Sequence, residues 1–365
     1  MSDFIKYEQD GQVKKTTYTF FRGDTANFHP TDESLTRSGF LRDYVVNGLL
    51  PDVPPISKET PIVPFGSCFA SNIQQYLVDR GYNVLTKTGR KNYISWMGDG
   101  MVNTFAILQQ FEWAWEGKVP QVDLWHGYKA EVFGYDEAVR QSTVDMLNEC
   151  DVFIITLGLS EVWFDEPTQS VFWRAVPKEN FDPARHKFRV SSVAENSSNL
   201  ERIRLLIRKY RPDARLIFTL SPVPLTATFR DMSCISANAV SKSVLRAAID
   251  EFMQGPAGTD TYTHYFPSYE VVTGLFMSPF MEDRKHPHAH VIDINMRIFE
   301  KYFCNSSISD DDLDASFAQA QLLDYQVACD GHFAVPRTFS PRGGGAVARP
   351  GQDDDTKRTH RSSKS

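Results

Sequence analysis

Two stretches of the sequence carry the residue types that acyl-transfer chemistry needs. The first is Gly66-Ser67-Cys68, which offers a hydroxyl and a thiol side by side. The second is Asp283-Arg284-Lys285-His286-Pro287, with a carboxylate three residues before an imidazole. A hydroxyl or thiol becomes a nucleophile when a base takes its proton, and a carboxylate behind the base fixes its tautomer. On a turn, Asp283 can accept from one nitrogen of His286 while the other faces a nucleophile. From the residues alone, Ser67 and Cys68 both qualify, since a thiolate at a helix N-terminus is also activated.

The surrounding elements decide whether such residues can meet. Pro61-Ile62-Val63-Pro64-Phe65 is a short apolar run, and Ile73, Tyr76 and Leu77 follow at helical spacing, ending at Arg80-Gly81. Strand, Gly-Ser turn and helix form a corner that lifts a side chain to the carboxyl end of a parallel sheet, where α/β folds place their sites. It also aims helical N–H groups at an anion or developing oxyanion. Further buried strands are expected at Val152–Leu157, Arg215–Leu220 and Tyr262–Tyr265, with a short one at Tyr82–Leu85. Helices are expected over Thr104–Trp115, Asp136–Cys150, Asn199–Tyr210, Val240–Phe252 and Pro287–Phe303. Strands alternating with helices predict an α/β fold: a doubly wound, flavodoxin-like parallel sheet of about five strands.

Gly66-Ser67-Cys68-Phe69-Ala70 resembles the signature of the GSCFA family, a branch similar to the SGNH (GDSL-like) hydrolases. Three later stretches extend the resemblance: Thr156-Leu157-Gly158-Leu159-Ser160-Glu161-Val162-Trp163, Leu220-Ser221-Pro222-Val223-Pro224-Leu225, and Tyr265-Phe266-Pro267-Ser268-Tyr269-Glu270. It runs from about Pro61 to about Phe303. It implies an SGNH-like fold, Ser67 as nucleophile with Cys68 packed beneath, His286 as base and Asp283 as its orienting carboxylate. It implies an oxyanion hole from the Ser67 amide, a glycine amide of the second block and an asparagine of the third. Here Ser160 stands where that asparagine belongs, so Gly100 and Asn103 are expected to compensate; Asn103 serves equally as a helix cap. Glu161, Trp163 and Trp173 are candidates for substrate contact, with packing as the plainer role, and Arg174 and Arg189 could grip an anion. The implied function is ester hydrolysis or O-acyl transfer on a carbohydrate-linked substrate, without a cofactor. The rival is a non-catalytic carbohydrate-binding protein on the same fold.

Composition narrows the field. The net charge of −7 in 365 residues gives no reason to expect a nucleic-acid partner. No stretch is long and apolar enough to span a bilayer. Five scattered cysteines without CxxC spacing argue against a disulfide framework and for a reducing, cytoplasmic setting. His286, His288 and His290 recur at alternate positions, but no cysteine or acidic cluster completes a metal site. Four segments are expected: an irregular lead-in over 1–58, the catalytic-type domain over 59–303, an extension with a possible helix over 304–339, and a Gly/Arg/Asp/Ser-rich disordered tail over 340–365. The stretch from Phe164 to Val193 lacks a strong pattern and reads as a lid or insertion.

Overall fold

The structure is a computed structural model that describes residues 4–17, 26–123 and 136–333. The aromatic stretch Trp125-His126-Gly127-Tyr128, which reads from sequence as a loop, lies outside the described residues, as do the Phe20–Asp24 part of the lead-in and the tail from 340 onward.

Four parallel strands form the central sheet: β3 (Ile62–Gly66), β4 (Val152–Leu157), β7 (Arg215–Leu220) and β8 (Thr263–Phe266), in the order β3-β4-β7-β8. Every residue of β3 and β4 is buried, which is why these strands read as unbroken apolar runs rather than as alternation. Their side chains still separate by face. Val63, Phe65, Phe153, Ile155, Leu216 and Phe218 pack in one core with the helices Thr104–Glu116, Glu137–Glu149, Val193–Tyr210 and Cys234–Gln254. Ile62, Val152, Ile154, Ile217 and Phe266 pack in a second core with Phe69–Asp79, Ser268–Gly274, Ala289–Phe303 and Asp310–Phe333. The chain is therefore an α/β protein with helices on both faces of a parallel sheet.

The expected fifth strand, Tyr82–Leu85, contributes only a single parallel bridge, Val84 to Ile62, because the chain turns into a 3-10 helix at Leu85–Lys87. Two antiparallel pairs depart from the expected pattern. The lead-in is not wholly irregular: β1 (Phe4–Gln9) and β2 (Gln12–Thr17) form a hairpin whose turn residues Asp10 and Gly11 have φ of 55° and 70°. β5 (Glu161–Asp165), which runs into the start of the stretch read as patternless, pairs with β6 (His186–Val190), which lies within it, in a two-stranded ribbon. Among the described residues no helix is long and apolar enough to cross a membrane.

Candidate active site

Ser67 follows β3, Gly158 follows β4 and Ser221 follows β7. All three line one cavity of about 380 Å³ at the carboxyl end of the sheet. Most of its wall is apolar, with Val102, Leu159, Val162, Phe172 and Phe188 among the contributors, and Cys68, Asn103, Glu161 and Arg174 supply polar groups.

The strand-to-helix corner is set by Gly66. Its φ is +131°, and a Cβ there would stand 2.1 Å from the Thr156 carbonyl oxygen, so only glycine lets β3 approach β4 this closely. The next residue, Ser67, is 2% exposed. Its N–H donates to the Thr156 carbonyl at 2.9 Å and to Thr156 Oγ1 at 2.7 Å. Its Oγ lies 2.9 Å from Thr156 Oγ1, whereas the other acceptor for the Thr156 proton, the Ser67 carbonyl, is 3.4 Å away. Either hydroxyl can be the donor in the shorter contact. Ser67 Oγ also accepts a long bond, 3.3 Å, from the Phe69 N–H, so the serine partly caps the helix that begins there.

Cys68 is not packed beneath the site; it lines the same cavity. Burial pushes its thiol up, against the opposing pull of Lys242 and Arg174, which keeps it a thiol rather than a reactive thiolate.

The expected oxyanion donors are placed unevenly. The Ser67 amide is engaged by Thr156. The Gly100 amide donates to the Met97 carbonyl at 2.9 Å. Ser160 is fully buried outside the cavity wall; its N–H donates to Ser241 Oγ at 2.9 Å and its own Oγ donates to the same oxygen at 3.4 Å, which ties it to the helix Cys234–Gln254. Asn103 does line the cavity. Its Oδ1 caps the helix by accepting from the Ala106 N–H at 2.8 Å, while its Nδ2 makes long contacts of 3.3 and 3.4 Å to the Phe172 and Trp173 carbonyls.

Asp283 and His286 meet each other but not the cavity. His286 Nδ1 and Asp283 Oδ2 are 2.5 Å apart, on a loop where the two side chains are 62% and 44% exposed and neither lines the cavity. The Lys285 N–H, then the His286 ring and N–H, hold the Asp283 carboxyl down to about 2. In the neutral tautomer whose Nδ1–H donates to Asp283, Nε2 is the acceptor nitrogen. His288 and His290 stack at 5.4 Å on the same loop-to-helix junction.

Of the remaining candidates, Glu161 and Trp163 lie on the cavity wall. Trp173 also touches it, but the ring is fully buried, edge-on to Tyr93 at 5.2 Å, and donates to Gln109 Oε1, which makes it a core residue first. Arg189 is paired with Glu195 at 2.8 Å, whereas Arg174 is exposed at the cavity.

A model of the GSCFA family matches residues 61–299. The chain belongs to the GSCFA family. No curated protein matches it. The matched span holds the whole cavity wall and the Asp283–His286 pair, and leaves out the β1–β2 hairpin. One feature of this GSCFA protein escaped the sequence reading. Lys242, in the helix Cys234–Gln254, is buried and donates to the Gly158 carbonyl at 2.6 Å and the Ser221 carbonyl at 2.8 Å. It joins the ends of β4 and β7 beneath the cavity. Burial drives its ammonium down to about 7, with Cys68 opposing. The available signal was positional: Lys242 falls on the helix's buried stripe with Leu245, Ile249 and Phe252.

Proposed function

We propose that this GSCFA protein carries out serine-dependent acyl-ester chemistry, as an esterase or an O-acyltransferase. The observation that carries the reading is Ser67: a hydroxyl at the strand-to-helix corner, 2.9 Å from the Thr156 hydroxyl and lining a mostly apolar cavity large enough for an acyl group. Ser67 Oγ attacks the acyl carbonyl carbon. His286 Nε2 takes the serine proton and returns it to the departing alcohol, while Asp283 holds the tautomer. This requires the Met281–Pro287 loop to swing His286 over the cavity when substrate binds. Asn103 Nδ2, whose present contacts are long, stabilises the oxyanion. Water or an acceptor hydroxyl then resolves the acyl-enzyme.

Fluorophosphonate labelling with peptide mapping tests this. A label on Ser67 that is lost in His286→Ala supports it; no label on folded protein overturns it. One observation favours a second reading, a binding protein on a hydrolase-like fold: the Asp283–His286 pair stands outside the cavity that holds Ser67. Absence of label with retained ligand binding would establish that reading instead.

A further inference from the structure

The ribbon places three side chains on one face. Glu161 and Trp163 are two residues apart on β5, and Phe188 is the cross-strand partner of Trp163. This face looks onto the segment that follows β7. Thr228 Oγ1 donates to Glu161 Oε1 at 3.0 Å, and Phe229 packs edge-on against Trp163 at 4.9 Å and tilted against Phe188 at 5.4 Å. Glu161, Trp163, Phe188 and Phe229 all line the cavity.

Two polar atoms on this face are unsatisfied. Glu161 is 7% exposed, and its Oε2 has no hydrogen-bond partner among the described residues. Trp163 Nε1 is buried and likewise without one. Buried polar groups in folded proteins are nearly always paired, so two orphans on one cavity-lining face call for an explanation. Their chemistry is complementary. A carboxylate oxygen only accepts and an indole nitrogen only donates, whereas a hydroxyl does both. An ammonium group would satisfy Glu161 and leave the indole orphaned; a carboxylate would do the reverse.

We infer that the Glu161–Trp163 face is a subsite for a hydroxyl-bearing part of the ligand, whose hydroxyls donate to Glu161 Oε2 and accept from Trp163 Nε1 while its carbon skeleton packs on Phe188 and Phe229. This rests on the reading of the cavity as the substrate site and does not depend on the chemistry at Ser67.

The test uses the full chain carrying Ser67→Ala, so that turnover plays no part. Ligand-observed saturation-transfer NMR titrations compare three ring probes: methyl β-glucopyranoside, cyclohexyl methyl ether and cyclohexylammonium. The glucoside is expected to bind tighter than the ether by roughly tenfold to a hundredfold, the range for a hydrogen bond to a charged group. Glu161→Gln and Trp163→Phe, each added to Ser67→Ala, are two conservative changes, and each is expected to shrink that preference to within about threefold. Equal binding of glucoside and ether, a preference unchanged in both variants, or tighter binding of cyclohexylammonium would each overturn the inference. A fluorophosphonate label on wild-type Ser67 alongside no hydroxyl preference sinks the subsite alone; hydroxyl preference without label sinks the acyl chemistry alone.

Discussion

Thr156 Oγ1 and Ser67 Oγ stand 2.9 Å apart across the junction of two neighbouring strands. The same Thr156 hydroxyl receives the Ser67 N–H, so one threonine fixes both the backbone and the side chain of the proposed nucleophile. Thr156→Val keeps the shape and removes the hydroxyl, leaving Ser67 N–H with the carbonyl alone. The expected cost is about 1 kcal/mol of stability, and a fluorophosphonate labelling rate lower by roughly tenfold or more. Thr156→Ser restores both. An unchanged rate in the valine variant would show that Thr156 does not position Ser67.

The Asp283–His286 pair gives a second test. If His286 is the base, His286→Ala and Asp283→Asn should each lower the labelling rate by about 10²–10⁴. Because Asp283 is held down to about 2, it stays ionised throughout the working range, and its titration contributes nothing to a rate profile between pH 5 and 9. Single-turnover labelling across that range checks this. Wild-type rates in both variants would remove the pair from the mechanism.

Lys242 should make stability depend on pH. Its ammonium is driven down to about 7 in the folded protein, while in the unfolded chain it titrates near the ordinary lysine value. Between the two values the unfolded state binds more protons, so stability contributed by this group rises with pH from about 7 toward about 10. The slope is at most ~1.4 kcal/mol per pH unit. Urea unfolding of wild type and Lys242→Met over pH 7–10 should show the difference between them widening in favour of wild type. Parallel profiles would mean that Lys242 does not titrate in that window.

Gly66→Ala should fail at the fold. The new methyl group would meet the Thr156 carbonyl oxygen at 2.1 Å, with φ at +131°. The expected loss is ~3 kcal/mol or more, read as a lowered thermal midpoint or insoluble expression. A variant that melts with wild type would show that β3 and β4 can separate at this point without penalty.

The sheet was legible because its strands are buried on both faces. Val152–Leu157 and Arg215–Leu220 are β-branched and apolar runs, and their boundaries agree with the structure to the residue. Tyr82–Leu85 is shorter and interrupted by Asn83; its contact with β3 is limited to the Val84–Ile62 bridge and the Asn83 carbonyl, which accepts from the Ile62 N–H at 2.9 Å, before the chain turns into a 3-10 helix. The β1–β2 hairpin was missed for the opposite reason. Gln12–Thr17 is exposed throughout, so it carries no apolar alternation, and only the Asp10-Gly11 turn announced it. At the site, Ser67 was visible from its corner. Lys242 was hidden, since a lysine normally reads as a solvated face and here it serves two carbonyls. Ser160 shows the limit of reading position by analogy: it occupies the asparagine's place in the chain, yet its Oγ donates to Ser241 Oγ, at 3.4 Å, and it lies outside the cavity wall.

The cavity has a divided origin. Ser67, Gly158 and Ser221 come from the sheet, but Glu161, Trp163 and Phe188 come from a ribbon that leaves the sheet after β4 and returns to it through the helix Val193–Tyr210. Ser191 clamps its base, donating through N–H and Oγ to the Ser160 carbonyl at 2.7 and 2.8 Å, and Arg185 pairs with Asp165 at 2.8 Å near its tip. A self-bonded excursion between two fixed anchor points is a cassette. Exchanging the two strands Glu161–Asp165 and His186–Val190 between family members, with Trp173 kept in its place in the first core, would change one wall of the cavity while the Gly66–Ser67 corner stays as it is, so the cavity's lining and its strand-to-helix corner can drift independently in evolution.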